Sequence, residues 1–248
     1  MLRLYHFWDS FCSFKVRLCL EEKGLAWSGA LVDLMAFENL TPDYLAINPK
    51  GLVPVLVDGG ATIPESSVIN EYLDDKHPEP ALKPRDPAAR AAMRLWVMHE
   101  EEALFAAVRP ASLNLMMKQV FARYSEAELD ALLAHHPKPH AVAALKRTFL
   151  SPPDPGAVAA SRKRLRAAFE AMEARLAETP WLAGDAYSLA DIAAAPAVDR
   201  IERLGLAGVR AGLAGVEDWI ARLTARPAYA RARPPEDQRL PAPIPVAD

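Results

Sequence analysis

Three side chains near the start of the chain could carry out chemistry: the hydroxyls of Ser10 and Ser13 and the thiol of Cys12. They follow a short apolar stretch, residues 2–7, and precede an amphipathic run, residues 12–23. The first pattern predicts a strand and the second a helix. A helix start exposes unpaired backbone N–H groups and the positive end of the helix dipole, which stabilise a nearby anion. A hydroxyl or thiol at this point therefore serves either catalysis or helix capping.

The elements that would position this stretch alternate between strand and helix. After the first strand and helix we predict a second strand at 30–34, a capped helical turn from Thr41, and a hairpin of strands at 53–57 and 61–63. Gly59-Gly60 supplies the hairpin turn, and a helical pattern begins at Ser66. The predicted order is strand–helix–strand, then a hairpin, then a helix.

Proline spacing predicts where this unit ends. Four prolines fall within residues 77–87, so we assign residues 1–78 to an N-terminal domain and 79–87 to a linker. Helical patterns at 87–118, 125–134, 158–178, from 188 and at 216–225 predict an all-helical domain over 88–230. Ser125 and Ser188 are each predicted to begin a helix as part of a capping box. This structural role accounts for both residues, so we assign them no catalytic role. Residues 231–248 are proline-rich and are predicted to form an extended or disordered tail.

Composition excludes several classes of function. Of 248 residues, 51% are hydrophobic and 25% charged, as in globular proteins, and the net charge of -3 gives no indication of nucleic-acid or anionic-membrane binding. No apolar run approaches the roughly 20 residues of a membrane span, and a secretion signal is not evident, so we expect a cytoplasmic protein. Cys12 and Cys19 would lie about 10.5 Å apart along one helix, beyond disulfide reach. We expect no metal site, because neither the cysteines nor the histidines at 135, 136 and 140 have standard ligand spacing.

Four motifs in order resemble those of the glutathione S-transferase family, and the resemblance covers about residues 1–230. It implies a thioredoxin-like α/β domain followed by an all-α domain, with glutathione as co-substrate and a homodimeric assembly. The matching runs are SFCSFKVR at 10–17, NPKGLVPVL at 48–56, ESSVINEYL at 65–73 and WLAGDAYSLAD at 181–191.

The resemblance also implies a glutathione site. Pro54 would be the cis-proline, and the exposed backbone of Val53 would pair with the cysteinyl part of glutathione as an added strand. Ser66 and the helix start behind it would bind the γ-glutamyl carboxylate, and Glu65 would bind the ammonium group.

The chemistry of the family requires a thiolate. Lowering a thiol pKa from about 8.5 by two units takes roughly 2.7 kcal/mol, which a donated hydrogen bond and a helix N-terminus can supply in a partly dry site. Ser10 is our first choice for that donor, because its position matches the serine of zeta- and theta-like classes.

Two other residues keep alternatives open. Cys12 matches the cysteine of a glutathione-dependent reductive dehalogenase subfamily, in which the thiol forms a mixed disulfide with glutathione. Ser13 aligns with the serine of the bacterial β-aryl etherase subfamily, which resembles this chain also at 90–96 and 125–149. We therefore place the chain nearest the etherase branch.

The resemblance to that branch implies an electrophilic, aryl ether-like acceptor and a role in detoxification or aromatic catabolism. The alternative to an enzyme is a non-catalytic protein with the same fold that acts as a binding or interaction module. An apolar acceptor site would lie in the helical domain. Four residues with helical spacing are expected in the core of that domain, and one or two of them are expected to line the site: Trp96, Phe105, Met116 and Met117.

Overall fold

The computed structural model describes residues 1–245. Within that range the strands are β1 (Leu2–His6), β2 (Trp27–Leu31), β3 (Val55–Asp58) and β4 (Ala61–Pro64). They form one sheet in the order β2-β1-β3-β4, with β1 parallel to β2 and antiparallel to β3. The helices α1 (Phe11–Glu22), α2 (Pro42–Ile47) and α3 (Ser66–Lys76) complete the N-terminal domain. The predicted thioredoxin-like order of elements is confirmed.

The second domain is helical over its described length. A continuous helical segment runs through α4 (Pro87–His99), a π-helical turn (Glu100–Phe105), α5 (Ala106–Ser112), a second π-helical turn (Leu113–Met117) and α6 (Lys118–Phe121). It is followed by α7 (Glu126–Leu132), α8 (Val142–Leu150), α9 (Pro155–Leu176), α10 (Leu189–Arg203), α11 (Ala214–Thr224) and α12 (Pro227–Ala232). In residues 1–245 no helix combines the length and apolarity that crossing a bilayer needs.

The two domains share one apolar core. Helix α1 packs against α3 in its own domain and against α10 and α12 of the helical domain. Buried side chains from both sides, such as Leu18 and Ile201, belong to the same hydrophobic cluster. Because burial of apolar area is the main stabilising contribution to such an interface, the start of α1 is held firmly against the helical domain.

The second strand lies earlier than predicted, at Trp27–Leu31 instead of 30–34. Gly24 has a φ of 60° and Leu25 N donates to Leu20 O, so α1 ends sharply and the chain reverses at once. Asp33 Oδ1 then accepts from the backbone N–H of Met35 at 2.8 Å, which closes a turn where the strand had been expected.

Two helices were not predicted, and proline explains one of them. No helix was predicted after the one at 216–225, but Pro227 occupies the first turn of α12, where the missing N–H costs nothing. Helix α8 (Val142–Leu150) has Ala141 at its N-cap, whose side chain makes no capping hydrogen bond, so the start of α8 carried no sequence signal. Of the three proposed domain boundaries, 78/79 lies between α3 and α4, 87/88 lies at the first residues of α4, and 230/231 lies within α12.

The predicted tail is packed over much of its length. Residues 231–232 end α12, residues 236–238 form a 3₁₀ turn, and Leu240 is only 8% exposed. Apolar burial of Leu240 explains why this proline-rich stretch follows the surface of the protein. Residues 246–248, the end of the predicted tail, lie outside the described residues.

Candidate functional site

A cavity of about 580 Å³ lies between the two domains, with Ser10 and Cys12 on its wall. The N-terminal domain also contributes the predicted glutathione residues Val53, Pro54, Glu65 and Ser66. The helical domain and the segments facing it contribute a mainly apolar lining that includes Phe37, Phe105, Met117, Phe121, Leu133, Leu145 and Phe149. Of the four helical residues suggested for the acceptor pocket, Phe105 and Met117 line the cavity, while Met116 is buried and Trp96 packs against the core.

Ser10 occupies the N-cap position of α1. Its backbone is extended, with φ −79° and ψ 126°, and its Oγ accepts a hydrogen bond from Ser13 N at 3.2 Å. A hydroxyl has one donor and two acceptor positions, so accepting this bond leaves the O–H proton free to be donated elsewhere. The N–H groups of the first turn of α1 and the cavity-lining hydroxyl thus meet at one point, which favours an anion there.

Cys12 and Ser13 differ in their surroundings. Cys12 is a free, half-buried thiol on the cavity wall, and burial raises its pKa despite the neighbouring Lys15 ammonium and a hydrogen bond from Ser66. Its thiol is therefore predominantly protonated near neutral pH. Ser13 is fully buried, does not line the cavity, and its Oγ has no hydrogen-bond partner among residues 1–245.

Val53 and Pro54 stand just before β3, and the peptide bond between them is cis, as the resemblance implied. The preceding residue is fixed by two donors, since Tyr44 Oη and Asn48 Nδ2 both donate to Leu52 O, at 2.6 and 2.7 Å. The pairing of β3 begins only at Val55, so the Val53 backbone precedes the sheet ladder. This geometry suits the addition of a short extended peptide.

Glu65 and Ser66 form the start of α3. Glu65 has φ 68° and ψ 115°, a left-handed conformation that non-glycine residues adopt rarely and that is found preferentially at functional sites. Its side chain makes no capping bond to α3 but lies 2.7 Å from Lys50 Nζ, with both side chains half exposed. Ser66 is buried at 6% exposure and lines the cavity.

The guanidinium group of Arg17, on α1, forms hydrogen bonds to the loop before Ser10. Arg17 donates to Phe7 O at 3.3 Å, Trp8 O at 2.8 Å and Ala232 O at 3.0 Å, and its guanidinium lies over the Trp8 ring. It also lies 3.4 Å from His6 Nδ1. Burial, together with the Arg17 charge, lowers the pKa of His6 to about 3, so the imidazole is neutral.

A second guanidinium group, that of Arg200 on α10, forms hydrogen bonds to the same loop. Arg200 Nη2 donates to Asp9 O at 2.6 Å and to Asp9 Oδ1 at 2.7 Å, and Nη1 donates to Ser112 Oγ at 3.2 Å. Arg203 adds two bonds to the same carboxylate, at 2.6 and 2.5 Å. These charge-assisted bonds join the loop next to Ser10 to the helical domain.

A buried ion pair joins α1 to the first π-helical turn. Lys15 Nζ on α1 is 2.6 Å from Glu100 Oε2 in the first π-helical turn, with side-chain exposures of 2% and 0%. Burial raises the pKa of Glu100 to about 7, although the Lys15 ammonium opposes this. Lys15 itself lines the cavity, so the pair fixes a cation near Cys12.

Sequence reasoning missed several residues of this region: Asp9, Arg17, Arg200 and Leu240. Asp9 and Arg200 are 191 positions apart in the chain, and no local pattern connects them. The only available signal for Leu240 was an apolar side chain among prolines. His136, considered in the sequence only as a metal ligand, lines the cavity, where its Nδ1 accepts from Lys138 N at 3.1 Å. Residues 1–245 contain no group of three or more histidine, cysteine or acidic side chains arranged to hold a metal.

The chain matches two family models that follow the two structural domains. Residues 4–81 match the glutathione S-transferase N-terminal domain, and residues 114–227 match the glutathione S-transferase C-terminal domain. In sequence, Glutathione S-transferase Z1 of Arabidopsis thaliana is 46% identical over 90 residues, which cover 36% of this chain and 41% of that protein. That match therefore spans less than half of the plant protein.

Similarity over nearly the whole chain is found with Protein LigF of Sphingobium sp. (strain NBRC 103272 / SYK-6). The two are 30% identical over 236 residues, which cover 92% of this chain and 91% of LigF. The crystal structure of the beta-etherase LigF from Sphingobium sp. strain SYK-6 has a TM-score of 0.83 at 28% identity, covering 93% of this chain and 98% of that one.

A third comparison includes the ligand. The theta class glutathione S-transferase of Xanthomonas axonopodis pv. citri, crystallised with glutathione bound, has a TM-score of 0.74 at 27% identity, covering 93% of this chain and 96% of that one. Members of this family use glutathione as co-substrate. With both family models matched in order and a relative aligned along nearly its full length, the chain belongs to the glutathione S-transferase family.

Proposed function

We propose that this protein is a glutathione transferase that acts on an electrophilic aromatic acceptor, with aryl ethers as the substrate class. The proposal rests mainly on one observation: Ser10, the residues predicted to bind glutathione and several aromatic side chains all line the same cavity. In the proposed reaction the thiolate sulfur attacks the carbon that bears the aryloxy group. A C–S bond forms, the C–O bond breaks with its electron pair on oxygen, and the phenolate takes up a proton from water.

In this proposal Ser10 stabilises the thiolate of bound glutathione. Its O–H donates to the sulfur, while its oxygen keeps the capping bond from Ser13 N at 3.2 Å. The positive end of α1 adds to this effect because the cap places the hydroxyl at the helix start. Ser10 is therefore a hydrogen-bond donor and not a general base. Ser13 is the weaker candidate because its buried side chain lies outside the cavity.

Glutathione binding is assigned to the four motif residues. The Val53 backbone, positioned by the cis bond to Pro54, would pair with the cysteinyl unit. The Ser66 hydroxyl and the start of α3 would receive the γ-glutamyl carboxylate. Glu65 would bind the ammonium group as a charge-assisted acceptor. All four residues line the cavity, which supports their assignment to one ligand.

The acceptor class rests on the aromatic lining. The ring centroids of Phe37 and Phe121 are 5.6 Å apart, those of Phe121 and Phe149 4.1 Å, and those of Phe11 and Phe105 5.2 Å. Pockets for small molecules combine such apolar walls with a few polar groups. The similarity to the beta-etherase LigF supports an aryl ether in particular.

A Cys12-dependent thiol transferase or reductive dehalogenase is the second candidate, favoured by the position of that thiol on the cavity wall. Burial raises its pKa, which argues against a standing thiolate, so we rank it below the Ser10 mechanism. Treatment with oxidised glutathione followed by mass spectrometry tests it: a mixed disulfide at Cys12 supports this candidate, and an unmodified chain excludes it.

We also propose that the protein is a cytoplasmic homodimer. Three exposed apolar side chains lie on α3 and α4: Val68 is 56%, Leu95 65% and Met98 49% exposed. The two helices are joined there by the bidentate pair of Arg94 with Glu71. An exposed apolar surface of this kind is typical of an interface. The chain has only two cysteines, Cys12 and Cys19, which lie too far apart on α1 to pair, and such low cysteine use is usual in a reducing compartment.

The proposal is tested with purified protein, glutathione and a panel of acceptors: β-aryl ethers, haloaromatics and chlorodinitrobenzene. We expect glutathione-dependent release of the phenol from the ethers and a glutathione thioether as co-product, measured by chromatography. If only chlorodinitrobenzene is turned over, the transferase assignment is kept and the aryl ether substrate is rejected. Absence of glutathione binding by calorimetry would reject both and favour a non-catalytic binding protein.

A further inference from the structure

Asp9, the residue before Ser10, receives hydrogen bonds from two distant parts of the chain. Arg200 and Arg203 on α10 together donate to both carboxylate oxygens, at 2.5 to 2.7 Å. The backbone N–H of Leu240 donates to Oδ2 at 2.5 Å. The Asp9 side chain is only 2% exposed. One buried carboxylate thus joins the loop before Ser10, helix α10 and the segment after α12.

The segment that contains Leu240 is attached at a second place. Gln119 Nε2 donates to Ala242 O at 2.8 Å, and Ile244 N donates to Leu115 O at 2.9 Å. We call residues 239–245 the C-terminal strap. It therefore runs from the Asp9 carboxylate to the helical region of residues 113–121, which also supplies cavity-lining side chains.

Leu240 forms part of the cavity wall. Its side chain is 8% exposed, and it lines the same cavity as Ser10, Phe105 and Val108. An apolar side chain at this position excludes water and limits the space open to an acceptor. Shortening Leu240 would enlarge the cavity beside Ser10, with no change in the motifs assigned to glutathione.

We propose that the Asp9 carboxylate couples the C-terminal strap to the loop before Ser10, so that a well-ordered strap stabilises the conformation of that loop and the reverse. We also propose that the Leu240 side chain determines the size of acceptor that the cavity admits. The second part rests on the proposed transferase function, whereas the first does not. The physical basis is that a hydrogen bond to a buried carboxylate is stronger than one between neutral groups. Coupling between two sites is reciprocal, so loss of the strap contact loosens the backbone at residues 9–13.

Two substitutions at one position separate the hydrogen bond from the side chain. Leu240→Ala removes the apolar wall and keeps the N–H group, whereas Leu240→Pro removes both. Arg239 has φ −90° and ψ 150°, a conformation that a following proline accepts. Ala242→Pro is the matched control, because it adds a proline to the strap without removing the donor to Asp9. Circular dichroism verifies that all three variants fold.

The coupling is measured by amide hydrogen exchange at Ser10 and Ser13, whose N–H groups bond to Phe7 O and Ser10 Oγ. We expect exchange in Leu240→Pro to be at least about fivefold faster than in Leu240→Ala, with Ala242→Pro close to wild type. Equal exchange in Leu240→Pro and Leu240→Ala would overturn the coupling. No glutathione is present in this experiment, so its result stands even if the transferase function fails.

The selectivity of Leu240 is measured as the ratio of kcat/KM for a bulky and a small β-aryl ether. We expect Leu240→Ala to shift this ratio at least about fivefold toward the bulky ether, while the KM for glutathione stays unchanged. An unchanged ratio would overturn the role of Leu240 in acceptor size. Wild-type protein that turns over neither ether would instead reject the proposed function.

Discussion

The oxygen of Ser10 accepts a hydrogen bond from the backbone N–H of Ser13, three residues along the chain, at 3.2 Å. The same side chain lines the cavity between the domains. Capping and thiolate stabilisation use different positions of one hydroxyl, since the first requires a lone pair and the second the O–H proton. The two explanations offered by the sequence for Ser10 are therefore compatible.

Ser10→Ala removes both the cap and the thiolate donor. We expect the pKa of bound glutathione to rise by about one unit, equivalent to about 1.4 kcal/mol, and kcat to fall about tenfold or more. Unfolding should become easier by about 1 kcal/mol through the lost cap. Thiolate absorbance against pH gives the pKa, and Ser10→Thr, which keeps a hydroxyl, is the control. An unchanged thiol pKa and turnover in Ser10→Ala would exclude Ser10 as the donor.

Glu65→Gln tests the assignment of the ammonium site. The substitution keeps the size of the side chain and removes the charge, so we expect the affinity for glutathione to fall about tenfold by calorimetry. Glu79→Gln is the control, because Glu79 is an exposed acid paired with Arg85 only at 3.6 Å. Equal affinities in both variants would show that Glu65 does not bind glutathione.

The buried pair of Lys15 and Glu100 predicts strong coupling between the domains. Glu100→Leu leaves an ammonium group buried without its partner, so we expect a loss of about 3 to 5 kcal/mol in unfolding free energy. The double variant Lys15→Met/Glu100→Leu should recover most of that loss, because it removes both charges. Denaturant unfolding of the wild type, both single variants and the double variant measures the coupling. Additive losses would mean that the two charges act independently.

His6 predicts a pH dependence of stability. Its pKa is lowered to about 3 in the folded state by burial and Arg17, whereas an unfolded histidine titrates near 6.5. Between pH 6.5 and about 3 the unfolded chain binds a proton that the folded chain does not. The contribution of His6 to folding stability is therefore fully present above about pH 6.5 and is lost as the pH falls below it. The slope from this residue is about 1.4 kcal/mol per pH unit well below 6.5. His6→Asn, which keeps an acceptor for Arg17, should flatten the unfolding profile there; an unchanged slope would contradict the assignment.

The proposed dimer predicts a dissociating variant. Leu95→Glu places a charge at an apolar side chain of α4 that is 65% exposed. We expect sedimentation velocity to show a shift from dimer to monomer, with the circular dichroism spectrum unchanged. Leu150→Glu, at another exposed apolar residue, is the control. A variant that sediments as wild type would exclude this surface as the interface.

The sequence predicted the parts of the molecule that depend on local chemistry. The caps at Ser10, Ser125 and Ser188 and the proline at the start of α2 lie where residue type alone places them. The cis bond before Pro54 was implied by a motif.

What the sequence did not predict depends on contacts between distant residues. Arg200 reaches Asp9 across 191 positions, and Leu240 reaches it across 231. Periodicity carries no information about such pairings, because it reports only which face of an element is apolar. The most strongly connected part of the candidate site was therefore the least visible in the sequence.

The two π-helical turns in the segment from Pro87 to Phe121 influence which of its side chains face the cavity. Each such turn accommodates an extra residue in a helix and rotates the following side chains. Phe105 and Met117 stand at the ends of these turns and face the cavity, whereas the motifs assigned to glutathione lie outside the segment. Single-residue insertions and deletions here would thus exchange the side chains that meet an acceptor while conserving those that meet the co-substrate.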